Sequence, residues 1–277
     1  MSHYATVLRG VLATTAIVLL IGTAHAADID CTAGLTKSSD FTLQDNYYCT
    51  SSCTCFTLTN GADLGLNGHT ITCRATTGST CGTAISANGS AGSRIWGCGV
   101  AGPCSANQGG TITSDLGKKP WTYGVYFGDQ VSYVTFQGMT SYGTYKVPNV
   151  FGSVFQNIYV AIYTNGATGS LVQNNFIDGN VPSVFGTPGT IGITVSPSVG
   201  PTTVDRNTMR GYSFAGLNLI NSPYTVTVTN NIINAANPSY PTAVPIRQTP
   251  SVTASLQYNL CSDLTKCPIP EHFFVLP

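Results

Sequence analysis

Asparagine follows an apolar residue at an interval of three in Val154/Asn157, Val172/Asn175, Val204/Asn207, Val228/Asn231 and Leu256/Asn259. Asparagine is depleted in strands and unfavourable in helix interiors, so its recurrence at a fixed offset from an apolar anchor points to a stack of similar bent units. In such a stack an inward-turned amide donates to one neighbouring coil and accepts from the other, which satisfies polar groups that would otherwise be buried unpaired. The column Asn157, Asn175, Asn207, Asn231 and Asn259 is therefore expected to be a structural ladder rather than a set of catalytic groups.

Short alternating strands precede the anchors and extend the repeat upstream. They include Gly124-Val125-Tyr126-Phe127, Ala161-Ile162-Tyr163, Gly192-Ile193-Thr194-Val195 and Gly216-Leu217-Asn218-Leu219, with a weaker copy at Gly143-Thr144-Tyr145. Anchors near Leu64, Ile95, Val134, Val154, Val172, Val204, Val228 and Leu256 give about eight rungs. Most of the intervals are too short for the four-stranded blades of a propeller, and no segment has a convincing helical period. A parallel β-helix accepts the uneven spacing, because each coil needs only short strands and can extrude the remainder as loops. The expectation is one all-β domain over 27–277, with an N-terminal cap and first rung at 31–75 and a C-terminal cap or tail at 261–277.

Residues 1–26 read as an export signal: Arg9 precedes the apolar run from Val11 to Gly22, and Ala24-His25-Ala26 supplies a small-x-small cleavage site. No later run is long enough to span a membrane, so a secreted or periplasmic chain is expected. The ten cysteines behind that signal fit an oxidising compartment, and the short separations of Cys98 from Cys104 and of Cys261 from Cys267 suggest loop staples. Cys53-x-Cys55 has no second pair at zinc-binding spacing, so neither metal nor cofactor is expected. Charged residues are only 8% of the chain and cancel, which argues against a nucleic-acid partner and against electrostatic capture of a strongly acidic polymer.

The segment Ala62-Asp63-Leu64-Gly65-Leu66-Asn67-Gly68-His69-Thr70-Ile71 resembles the opening rung of secreted right-handed parallel β-helix proteins. With the Gly-apolar-x-apolar strands and apolar-x-x-Asn turns, the likeness to the pectin-lyase-like superfamily covers roughly residues 31 to 263. It implies a single-stranded right-handed solenoid. It leaves activity open, since such folds serve lyases, hydrolases, epimerases and noncatalytic surface proteins. The hydrolases' clustered aspartates, Gly-His-Gly and Arg-x-Lys motifs, the lyases' acidic calcium cluster and the epimerases' Asp-Pro-His-Asp motif are missing from this sequence.

The remaining catalytic candidates are Asp129, Asp178 and the charged group Asp205, Arg206 and Arg210. His69 sits at a turn of the signature, where a packing and hydrogen-bonding role is expected. Placing Val125, Tyr145 and Ile162 inward puts Tyr126, Lys146, Tyr163, Thr194 and Asn218 on one outward face. Aromatic rings beside hydroxyls and amides suit a sugar, so this face is the expected contact for a neutral or weakly charged polysaccharide or cell-surface glycan. This first reading leaves open cleavage of the glycan by a lyase or hydrolase with an unfamiliar catalytic set; the alternative is a noncatalytic extracellular structural or adhesive protein.

Overall fold

The computed structural model describes residues 28–76, 80–87, 92–99, 104, 109–115, 118–165, 169–179, 190–197, 199–234, 240–261 and 274–275. The expected signal at 1–26 and Cys267 lie outside these residues.

The chain is an all-β parallel β-helix in which three short strands per turn build three parallel sheets of nine, eleven and nine strands. We call them, in chain order within a coil, the anchor sheet, the middle sheet and the tyrosine sheet. Among the described residues eight coils are complete. The first passes through Phe41–Thr42, Tyr47–Cys49 and Thr54–Leu58, and the eighth through Val226–Thr229, Ile232–Asn234 and Val244–Gln248. At about 4.8 Å per coil the eight span on the order of 40 Å. The signature around Leu64 lies on the second complete coil rather than the first, through Leu64–Gly65 and Thr70–Cys73.

Each sheet contributes one apolar column to a continuous core. The anchor sheet stacks Leu64, Ile95, Val131, Val150, Val172, Val204, Val228 and Leu256 in register. The middle sheet stacks Ile71, Ile112, Phe136, Phe155, Ile177, Met209 and Ile233. All but a few per cent of each of these side chains is withdrawn from water, and burying one Val, Leu, Ile or Phe is worth about 1.5–3 kcal/mol.

Two expected anchors are corrected here. In the fourth and fifth coils the inward residues are Val131 and Val150, whereas Val154 faces outward in line with Thr135 and Phe176. The side-chain period of a strand is two, so a residue matched to the wrong sheet changes face.

The ladder is built from Asn175, Asn207, Asn231 and Asn259. The side chain of Asn207 donates to Val172 O at 2.9 Å, to Asp205 O at 3.1 Å and to Asn231 Oδ1 at 3.0 Å. Its Oδ1 accepts from the backbone and side chain of Asn175 at 3.0 and 2.9 Å. Above Asn175 the ladder continues through Ser153, which accepts from Val134 N and whose own N donates to Asn175 Oδ1. Asn157 is not a member. It occupies the opposite end of the middle sheet, with φ of 56°, at a bend where other coils place the positive-φ glycines Gly138 and Gly211. Asparagine is among the few non-glycine residues that tolerate this left-handed region, and that accounts for its presence there.

Disulfides reinforce the first coils. Cys49–Cys53 and Cys73–Cys81 close the corner between middle and tyrosine sheets in consecutive coils, and Cys31–Cys55 ties the incoming segment to the first. Cys98–Cys104 staples a loop, and Cys261 is also disulfide-bonded. Among the described residues no helix is long and apolar enough to cross a membrane.

Candidate functional site

The outward face of the tyrosine sheet carries two aromatic columns. One runs Ser86, Tyr126, Tyr145, Tyr163, Thr194, Asn218, Arg247 in strict register. The other runs Thr83, Tyr123, Tyr142, Val160, Ile191. Two outward residues per strand, three apart, are possible because the glycine between them faces inward beside the next core residue. A Cβ on Gly124 would lie 2.7 Å from the Phe136 ring, and one on Gly143 would lie 2.7 Å from the Phe155 ring. Glycine there leaves room for the stacked pair Phe136 and Phe155, whose centroids are 4.8 Å apart.

The five tyrosines pack as one platform over three coils. Tyr126 stacks on Tyr145 at 5.3 Å between centroids, Tyr145 on Tyr163 at 5.0 Å and Tyr123 on Tyr142 at 5.7 Å. Cross-column contacts at 5.0 Å for Tyr123–Tyr126 and 4.8 Å for Tyr142–Tyr145 join the two rows. Near-parallel rings this close are offset-stacked, so each ring shingles over the next. The faces of the stacked rings are therefore partly covered by their neighbours. Burial, followed by the neighbouring tyrosines, raises Tyr123 and Tyr142 above the usual phenol range, so both hydroxyls stay protonated at neutral pH.

Lys146 does not stand in the outward column. The inward residue of its strand is Thr144, paired with Val125 and Ile162, which turns Tyr145 outward and leaves Lys146 at a corner with φ of 57°. From there its ammonium lies 5.3 Å from the Phe127 centroid and 5.4 Å from that of Tyr145, at the border of the platform. Thr194 and Asn218 do share the column with Tyr163 but are 3% and 5% exposed, so they are not open contact residues. Asn218 Oδ1 accepts from Arg247 at 3.3 Å, and that guanidinium lies 5.0 Å from the centroid of Phe214. Tyr123, Tyr142, Tyr145 and Arg247 escaped the sequence reading. The signal that exposes the first three is a repeated Tyr-Gly-x-Tyr, at 123–126 and again at 142–145.

The acidic candidates are dispersed. Asp129 precedes an anchor strand of the fourth coil, and Asp205 ends one of the seventh. Three coils separate them by about 14 Å, beyond the roughly 5–9.5 Å of a hydrolase pair. Asp178 ends a strand of the middle sheet and pairs with Arg210, whose guanidinium also lies over Phe176. Arg210 is thereby separated from the Asp205–Arg206 group that the sequence brought together. Asp205 accepts from Gln173, Thr229 and Asn230, each at 2.8 Å, and lies 3.6 Å from Arg206 Nε. Burial pushes its carboxyl up, but those hydrogen bonds and Arg206 outweigh the effect and hold it below the usual carboxylate range. An ionised carboxylate bound by three donors is poorly disposed to move protons.

His69 belongs to a turn: its N donates to Leu66 O at 2.8 Å and its O accepts from Thr111 N at 3.0 Å. Among the described residues, no group of three or more His, Cys, Asp or Glu is arranged to hold a metal ion. No protein-family model, curated protein or solved structure matches this chain.

Proposed function

We propose that this chain is an exported, noncatalytic β-helix protein that holds a neutral or weakly charged polysaccharide along the outer face of its tyrosine sheet. The observation that carries the reading is the in-register platform of Tyr123, Tyr126, Tyr142, Tyr145 and Tyr163, whose rings repeat from coil to coil. An extended glycan lying parallel to the solenoid axis meets a similar set of tyrosine rings at each coil, so its C–H surfaces pack while its hydroxyls exchange hydrogen bonds. Lys146 at the border accommodates an occasional acidic group without demanding a polyanion. The likeness of the 62–71 segment to the pectin-lyase-like superfamily and the apolar leader at 1–26 support placement of the protein outside the cytoplasm, as do the disulfides.

The second reading, a purely structural or adhesive surface protein, draws on the shingling itself. Rings that cover one another already stabilise the sheet, by about 0.5–1.5 kcal/mol per aromatic pair.

Glycan-array binding and calorimetry with the mature protein, alongside Tyr145→Ala and Tyr163→Ala, separate the two. The proposal expects wild-type binding to a neutral glycan and its loss in both variants, with no reducing ends or unsaturated products released. Absence of binding to any neutral or weakly charged glycan would leave the structural reading. Release of product would overturn the noncatalytic assignment.

A further inference from the structure

The outer edge of the ladder corner presents a line of residues that the asparagines themselves do not explain. Immediately before each inward ladder residue the chain passes through a left-handed position, occupied in successive coils by Tyr133, Gly152, Asn174, Arg206, Asn230 and Tyr258, with φ between 53° and 58°. Glycine and asparagine are the usual occupants of such a position. Tyr133, Tyr258 and Arg206 are the exceptions, and Arg206, whose side chain is 62% exposed, is the only charged one of the six.

Arg206 is also set apart by its partners. Every other described arginine has a hydrogen-bonded terminal nitrogen and a guanidinium over a ring: Arg74 with Asp28 and Tyr48, Arg94 with Asp63 and Trp96, Arg210 with Asp178 and Phe176, Arg247 with Asn218 and Phe214. Arg206 has neither. Among the described residues its guanidinium has one polar neighbour, Asp205 at 3.6 Å from Nε and beyond hydrogen-bonding reach, and that carboxylate is already held by three other donors. The side chain is mostly exposed, and the exposed residues Asn174 and Asn230 hold the same left-handed position one coil to either side.

We propose that this corner is an oxyanion site, in which Arg206 forms a two-bonded contact with a single carboxylate or sulfate on a weakly charged glycan, and Asn174 supplies an amide beside it. Planar guanidinium recognition of such a group is bidentate and geometrically selective. The neighbouring Asp205 carboxylate, 3.6 Å from Nε, offsets part of the guanidinium charge, which suits one isolated anionic group and disfavours a dense polyanion. The site lies on a different corner from the tyrosine platform and does not depend on it.

The test uses the mature full chain and three probes: a tetrasaccharide bearing one glucuronate, its carboxyl-reduced twin and a monosulfated tetrasaccharide of the same backbone. Arginine side-chain NMR and calorimetry report binding to wild type, Arg206→Asn, Arg206→Lys and Tyr145→Ala. The proposal expects a shift at the Arg206 guanidinium with at least one acidic probe, and about fivefold or more weaker binding for the reduced twin and for Arg206→Asn. Arg206→Lys falls between, because the charge stays and the fork is lost, and Tyr145→Ala retains the Arg206 shift even if the platform reading fails. Which acidic probe binds more tightly distinguishes carboxylate from sulfate. Arg206→Asn is expected to be at least as stable as wild type. Equal binding of acidic and reduced probes, no Arg206 shift with either acidic probe, or marked destabilisation by Arg206→Asn would overturn the assignment.

Discussion

Replacing Asn207 by alanine removes the centre of the ladder, and the structure sets the scale of the loss. Five hydrogen bonds to the side chain disappear, and two donors on Asn175, the backbone N–H and one amide hydrogen, lose their acceptor. The other amide hydrogen of Asn175 keeps Val150 O, and Asn231 Oδ1 keeps the backbone of Asn207, so neither is orphaned. A buried donor left unmade costs about 1–3 kcal/mol. The two donors therefore account for about 2–6 kcal/mol, and the carbonyls of Val172 and Asp205, each losing one partner, add a smaller amount because a carbonyl has a second lone pair. Guanidinium unfolding is expected to show Asn207→Ala less stable by about 3–6 kcal/mol, with hydrogen exchange at the Asn175 amide accelerated before the first coils open. Asn157→Gly is the internal comparison: the same residue type at a left-handed bend, where glycine is used elsewhere, is expected to change stability by less than about 1 kcal/mol. A loss below about 1 kcal/mol for Asn207→Ala, or equal losses for the two variants, would refute the hydrogen-bond account.

Two further predictions concern single polar groups. Thr144 is fully buried between Val125 and Ile162 with no partner for its hydroxyl, so Thr144→Val is expected to raise stability by about 1–2 kcal/mol in denaturant titration; a decrease would mean that the hydroxyl finds a partner in solution. The depressed folded-state pKa of Asp205 means that its stabilising contribution is present above the unfolded value near 3.9 and disappears as pH falls through the folded value. Unfolding midpoints between pH 7 and pH 2 should therefore place Asp205→Asn well below wild type at neutral pH and draw the two together in acid, and a constant gap would sink the linkage.

The parallel coil, the number of rungs and four ladder positions are legible in the sequence, because Val172/Asn175, Val204/Asn207, Val228/Asn231 and Leu256/Asn259 repeat one backbone bend with one inward amide, whereas the division into three sheets is not. The fourth and fifth coils break the pattern. They carry Val134 and Ser153 at the ladder corner, so the apolar-x-x-Asn search settles instead on Val154 and Asn157, one sheet further along the chain. The platform is misread for a related reason. Thr144 places a hydroxyl inside and Tyr145 a ring outside, reversing the usual assignment of polar and apolar faces, and this moves the expected contact to Lys146. Strict alternation also hides Tyr123 and Tyr142, since Gly124 and Val125 turn inward consecutively, as do Gly143 and Thr144. The partners of Asp178 and Asp205 come from other coils, at sequence separations of 24 to 32 residues, and no local spacing reveals them.

The paired corner clips Cys49–Cys53 and Cys73–Cys81 bear on how the solenoid is assembled. In a stack where each coil rests only on its neighbours, order propagates from whichever coil closes first, and later coils need only dock on an existing edge. Covalent closure of the first two corners uses loops of 4 and 8 residues, so it requires no distant contact. Once oxidised, that end is expected to serve as a template on which the remaining coils dock. Shortening the chain from its C-terminus should consequently leave a shorter column with its starting coils intact, whereas loss of the first two clips removes the surface from which winding begins.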